Sequence, residues 1–152
     1  HDVTDDYGRT KSLGEPLEAC VIRTSIIGEE VGKGFSLLNW VISNKAGKIN
    51  GYINHYWNGV TCLELAKVIE NIIKENKFWK GVRHVFTNIK ISKYNLCKLI
   101  SDVYELGIDI EPILYIIKCD RSLRTIHEII QLPDYKEQLI EQKEFFNTYI
   151  KE

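Results

Sequence analysis

Tyr7 and Lys11 stand four residues apart, a spacing that puts both side chains on one face of a helix. A neutral phenol has a reference pKa of about 10, too high for easy proton exchange at neutral pH. An ammonium beside a phenol favours the phenolate and lowers that barrier. Such a pair protonates the oxygen of a ketone while a hydride arrives at its carbon. The pattern is short: Tyr94 and Lys98 repeat it, and two surface residues on a polar helix satisfy it equally well. A second group is Asn54-His55-Tyr56-Trp57-Asn58-Gly59, a loop dense in rings and amides. Flat rings stack on a base or sugar and amides read its hydroxyls. The alternative is that Tyr56 and Trp57 plug the junction between two subdomains. His55 reads as a loop hydrogen-bonding residue rather than a catalyst. Arg121 offers a planar fork that suits a diphosphate, and equally an ordinary carboxylate.

The elements that must position these residues alternate between strand and helix, which argues an α/β fold. Residues 5–15 read as a short helix with an acidic start, stopped by Gly14 and Pro16. The β-branched run over 19–27 reads as one buried strand, of the kind covered on both faces in a parallel sheet. A glycine-marked loop and a helix over 35–44 follow. Residues 48–52 and 82–87 read as strands, and 110–117 as another. Thr61 caps a long amphipathic helix whose apolar stripe includes Leu65, Val68, Ile69, Ile72 and Ile73. Ser92 caps a helix over 93–106 that Gly107 ends, and 134–150 forms a polar amphipathic helix.

Composition narrows the partners. With 20 basic and 21 acidic residues in 152, the net charge of -1 gives no electrostatic argument for nucleic acid or an anionic membrane surface. No apolar stretch is long enough to span a membrane, and no signal peptide appears. Cys20, Cys62, Cys97 and Cys119 are widely spaced, so no zinc or other metal site is expected, and each sits in an apolar run as a small buried hydrophobe. A reducing cytoplasm is the expected location. The sequence contains no methionine, so upstream sequence is expected ahead of His1.

Tyr7-Gly8-Arg9-Thr10-Lys11-Ser12-Leu13-Gly14-Glu15, followed by Val21-Ile22-Arg23-Thr24-Ser25-Ile26-Ile27-Gly28, resembles the extended short-chain dehydrogenase/reductase family. The closest branch is the dTDP-4-dehydrorhamnose reductase type, with its Y-G-x-x-K-x-x-G-E helix and R-T-S strand end. The similarity continues more loosely through Asn58-Gly59-Val60-Thr61 and the helix after it, and Asp120-Arg121-Ser122-Leu123 is similar to a late substrate-side loop. About half the chain carries the resemblance.

The resemblance implies the C-terminal part of a Rossmann-type NAD(P)-binding fold with its small substrate-binding subdomain, the N-terminal half of the sheet missing. Residues 1–28 would belong to the nucleotide-binding half and 29–152 mainly to the substrate-binding half, with helix 61–74 packing back on the sheet. Tyr7 would be the general acid and Lys11 would tune it while holding the nicotinamide ribose. Arg23, Thr24 and Ser25 would lie beside the nicotinamide, with an ion pair or loop hydrogen bonds as their alternative roles. Asn54, Tyr56, Trp57 and Arg121 would contact a nucleotide-sugar substrate. Gly28, Gly32 and Gly34 follow a strand, but G-x-x-x-G-x-G is not the G-x-G-x-x-G of a dinucleotide turn. In the family that position is an active-site loop. The cofactor would be NADP or NAD, with its binding loop outside this chain, so the residues alone are not expected to catalyse. A sugar-nucleotide reductase, possible as a homodimer, is the implied function. A sugar-nucleotide epimerase or dehydratase is the alternative, as is a non-catalytic homologue like the regulatory subunit of methionine adenosyltransferase.

Overall fold

The structure, a computed structural model, describes residues 6–16, 18–32 and 34–150. Helix α1 (Asp6–Leu13) carries Tyr7 and Lys11; Asp5, the expected start of that helix, lies outside the described residues. Gly14 N–H bonds back to Thr10 O at 3.3 Å, and Pro16 has no N–H with which to continue. The helix has no apolar stripe and buries no residue.

The run expected as one strand over 19–27 is broken in two. Strand β1 (Cys20–Arg23) pairs in parallel with β6 (Gly81–His84), whereas β2 (Ile26–Ile27) pairs in parallel with β5 (Val60–Thr61). The chain changes partner at Thr24 and Ser25, where Ser25 O accepts the Val60 N–H at 2.9 Å. Gly59 permits that approach, because a Cβ there would lie 1.9 Å from Ser25 O. Nor is β1 covered on both faces. It is half-buried throughout, and among the described residues β6 is its one partner.

Helix α2 (Leu37–Ser43), capped by Ser36, leads to β3 (Lys48–Tyr52), which pairs in parallel with β8 (Asp109–Ile113). Strand β8 stops short of the expected 117. Past Ile113 the ladder is replaced by the Asn54 amide, which takes both the N–H and the C=O of Tyr115. The aromatic stretch expected as a loop contains a strand, β4 (His55–Trp57). It lies between β7 (Ile91–Ser92), antiparallel, and β9 (Cys119–Asp120), parallel. Aromatic side chains suit a pleated surface once partners arrive, and both partners are distant in sequence.

The longer helices follow their caps. In α3 (Cys62–Lys74) the Thr61 side chain accepts from Glu64 N, and in α4 (Lys93–Val103) Ser92 accepts from Asn95 N, both at 3.2 Å. Helix α4 ends before Gly107. Glu105 takes the left-handed conformation (φ 54°) and Leu106 N–H closes on Ser101 O at 2.9 Å, the bond that satisfies a helix end. Helix α5 (Tyr135–Tyr149) starts at Asp134, whose carboxylate accepts from Lys136 N and Glu137 N at 2.8 and 2.9 Å.

Two clusters hold these elements. Leu38, Val41, Leu96, Ile100 and Leu139 bring α2, α4 and α5 together, and each fully buried side chain contributes about 1.5–3 kcal/mol. Val68 and Ile72 of α3 pack on Val60 and Val85, with Ile22 of β1 against them. Of the cysteines, Cys97 alone is buried; Cys20 and Cys119 are half-buried and Cys62 is exposed, so apolar neighbours in sequence did not place them all in the core.

Candidate active site

Ser25, Tyr56, Trp57 and Arg121 come from three separate segments and line one cleft of about 520 Å³. Strand β4 forms its centre. Trp57 donates its indole N–H to Ser25 Oγ at 2.7 Å, and its ring lies 5.9 Å from that of Tyr135. Tyr52 and His55 complete the aromatic wall, their ring centroids 4.7 Å apart, with Tyr115 within 5.1 and 5.4 Å of them. His55 Nε2 sits 3.1 Å from Ile117 O, so its ring is committed to the loop, in keeping with a hydrogen-bonding role. Arg121 N–H donates to Tyr56 O at 3.0 Å, which fixes where its side chain leaves the backbone.

The loop 28–36 borders the cleft through Ser36 and is folded onto itself. Glu30 Oε2 accepts from Ser36 N at 2.7 Å, and Ser36 Oγ donates to Gly28 O at 3.2 Å. Glu29 accepts from the Tyr104 hydroxyl and from Gln142 Nε2, which ties the loop to α4 and α5. Burial, reinforced by that acceptor, pushes the Tyr104 phenol well above its usual range.

The other expected site residues lie elsewhere. Asn54 has both ends of its amide on the Tyr115 backbone, at 2.7 and 3.1 Å. Arg23 is clamped to Glu15, with Nε–Oε1 at 2.6 Å and Nη2–Oε2 at 2.5 Å. These bonds from Arg23 hold the Glu15 carboxyl below its usual value. Arg23 also lines a second cleft, of about 450 Å³, with His84 and Arg124. Burial lowers the His84 imidazole, and the Arg23 charge adds to the effect. Thr24 Oγ1 reaches Ser25 O at 3.5 Å. Tyr7 is 73 % exposed, with Lys11 Nζ 5.6 Å from its ring centroid, and neither lines the aromatic cleft.

Chemically, the aromatic cleft is suited to a flat, anionic ligand. No acidic side chain is among the described residues that line it, and its two cations are Lys93 and Arg121. Rings offer stacking faces and hydroxyls offer hydrogen bonds, the mixture that small-molecule sites use for affinity and orientation. The described residues contain no group of three or more potential metal ligands. No described helix is long and apolar enough to cross a membrane.

No protein-family model matches the sequence, and no curated protein matches it. Solved structures do match. The dTDP-4-dehydrorhamnose reductase of Bacillus anthracis str. Ames, solved with NADP, aligns at 17% identity and a TM-score of 0.65, over 84% of this chain and 47% of that one. The reductase of Yersinia enterocolitica aligns at 19% and 0.61, over 82% and 48%. The UDP-N-acetylglucosamine 4-epimerase of Methanobrevibacter ruminantium M1, solved with UDP-N-acetylmuramic acid, aligns at 20% and 0.59, over 95% and 51%. The fold is therefore shared with part of each of these enzymes. The chain spans about half the length of the solved structures it matches.

Within that shared fold, the cleft has members that the sequence did not single out. Tyr52 and Lys93 line it. Tyr52 reads as the end of a strand and Lys93 as the first residue of a capped helix. The one available signal for Lys93 is its position directly after the cap Ser92, which places it beside the aromatic stretch only once β7 has paired with β4.

Proposed function

We propose that this chain is the C-terminal part of an NAD(P)-dependent reductase of a nucleotide-linked 4-keto sugar. The observation that carries the reading is the convergence of Ser25, Tyr56, Trp57 and Arg121 on one aromatic cleft that no described acidic residue lines, just past the strand that follows the Tyr7/Lys11 helix. Ligands of open α/β sheets lie at the carboxyl ends of parallel strands, where Ser25 stands. Support also comes from the reductases of the same fold, one of them solved with NADP.

The residues present fit the nicotinamide end of such a cofactor. Tyr7 and Lys11 share the exposed face of α1, and neither is paired with a carboxylate among the described residues. The bound cofactor supplies the hydride. Tyr7 gives the proton to the sugar's carbonyl oxygen, and Lys11 favours loss of that proton from the phenol while its ammonium bonds the ribose. Arg23, fixed by Glu15, and Thr24 with Ser25 shape the edge against which the nicotinamide rests. Trp57 and Tyr56 hold the base or sugar, Asn54 orients the wall beside them, and Arg121 takes the diphosphate.

The test is oxidation of NADPH by a nucleotide-linked 4-keto sugar, measured in protein in which these residues follow a dinucleotide-binding half. Tyr7→Phe should lower turnover by about 10²–10⁴-fold while leaving cofactor affinity nearly unchanged. Wild-type turnover by that variant would remove Tyr7 from the mechanism.

A further inference from the structure

We propose that Lys93 is a second binding cation for the diphosphate of the ligand, acting with Arg121 from the opposite flank of β4. The proposal rests on the reading of the cleft as a nucleotide-sugar site and adds a residue to it. Register places the two cations. Tyr56 of β4 is opposite Ser92 of β7 on one side and Asp120 of β9 on the other. Lys93 and Arg121 directly follow the ends of those two strands, and because β7 runs antiparallel to β4 and β9 parallel to it, Lys93 lies toward His55 and Arg121 toward Trp57. Adjacent strands lie about 4.8 Å apart and a strand rises about 3.3 Å per residue, so the two backbones are separated by about 10 Å across and about 7 Å along β4, roughly 12 Å in all, a gap that two long side chains reach across. Both line the same cleft.

Lys93 is held ready for an anion. Its Nζ lies 5.4 Å from the ring centroid of Trp40 and 5.4 Å from that of Tyr52, so two negative ring faces restrict and stabilise the ammonium. The side chain is half-buried, and no described carboxylate forms an ion pair with it. Lys90, three residues earlier, behaves differently. It also faces a ring, that of Tyr56 at 4.7 Å, but its charge is matched by Asp120 at 3.1 Å. Thus one lysine beside β4 is neutralised and the other keeps its charge for the cleft. Unpaired ammonium donors facing an aromatic-walled cleft gain most from an acceptor with delocalised negative charge, which is what a diphosphate offers.

The experiment titrates the 152-residue chain with UDP and dTDP, and with uridine and thymidine as uncharged controls, by calorimetry. The variants are Lys93→Met, which keeps the apolar stem between the rings, Lys93→Arg, which keeps the charge, and Arg121→Met; thermal melts confirm that each is folded. Expected is nucleoside diphosphate binding weakened about tenfold or more by Lys93→Met, with most of the affinity retained by Lys93→Arg. The affinity of Lys93→Met should also fall less steeply with added salt, since one phosphate contact is gone. If Lys93→Met binds UDP and dTDP like the wild type while Arg121→Met is weakened, Lys93 is no ligand and the nucleotide-sugar reading stands. If the wild-type chain binds neither nucleotide, the proposal and the ligand class on which it rests both fall.

Discussion

Trp57 and Ser25, 32 residues apart in sequence, are joined by an indole N–H to hydroxyl hydrogen bond of 2.7 Å. That bond fastens the centre strand of the aromatic cleft to the point where the chain leaves β1 and enters β2. Trp57→Phe keeps the ring against Tyr135 and removes the donor. It should lower stability by about 0.5–1.5 kcal/mol, read as a shifted urea midpoint with an unchanged slope. A shift of zero would mean that water replaces the indole without loss.

Gln138 is a buried polar hub. Its Oε1 accepts from Thr61 N at 3.1 Å, and its Nε2 donates to Thr87 Oγ1 at 3.1 Å and Pro133 O at 2.8 Å. The residue is 1 % exposed, so water cannot take over these bonds. Gln138→Leu is close in volume yet strands Thr61 N and Pro133 O, while Thr87 Oγ1 keeps its bond to Gly59 O, and should cost about 1–3 kcal/mol in urea unfolding. Gln138→Glu should also destabilise, because a carboxylate cannot donate to Pro133 O.

Glu64 and Glu15 should respond to pH with opposite signs. Burial raises the Glu64 carboxyl above its ordinary value of 4.5, and Lys67 offsets this weakly because its Nζ sits 2.5 Å from Glu141 but 3.8 Å from Glu64. The folded state therefore holds the Glu64 proton more tightly than the unfolded chain, and the associated stability is lost as pH rises through the raised value. Glu64→Gln should be more stable than wild type at neutral pH, with the difference closing below about pH 4.5. Equal melting curves at neutral pH would show that Lys67 fully compensates the burial.

For Glu15 the folded carboxyl is lowered by its bonds to Arg23, so its stabilisation is present above the ordinary value and lost as pH falls through the lowered one. Glu15→Gln should cost about 1.5–3 kcal/mol at neutral pH, the range for hydrogen bonds to charged groups. The cost should shrink on acidification. A pH-independent difference between variant and wild type would point to lost packing instead of a lost ion pair.

The 152-residue chain alone should bind NADP no better than millimolar. The pyrophosphate of a dinucleotide gains its stabilisation from backbone N–H groups at a helix N-terminus behind a G-x-G-x-x-G turn, and that pattern is not among these residues. Contacts at the nicotinamide end leave little to offset the entropy lost on association. Micromolar binding by calorimetry would mean that the glycine loop at 28–34 serves a dinucleotide after all.

The sequence by itself determined the elements whose causes are local. The caps at Thr61 and Ser92, the stripe of α3 and the stop after α1 were readable because hydrogen bonds three residues apart and a 3.6-residue period are written in consecutive side chains. That Tyr7 and Lys11 share one helix was readable for the same reason. Partner choice between distant segments was decided only by the tertiary structure. A continuous apolar run over 19–27 does not say that its first half will pair with β6 and its second with β5, or that Ser25 at the break will meet Trp57. Nor does the spacing of Asn54 to Trp57 reveal a strand, because β4 exists by virtue of Ile91–Ser92 and Cys119–Asp120, more than thirty and sixty residues away. Arg23 was equally compatible with a ligand or an acid, and the fold placed Glu15 within 2.6 Å of it. Lys93 carried no motif at all; its place in the cleft follows from the register of β7 on β4, which non-local hydrogen bonds fix and local sequence does not.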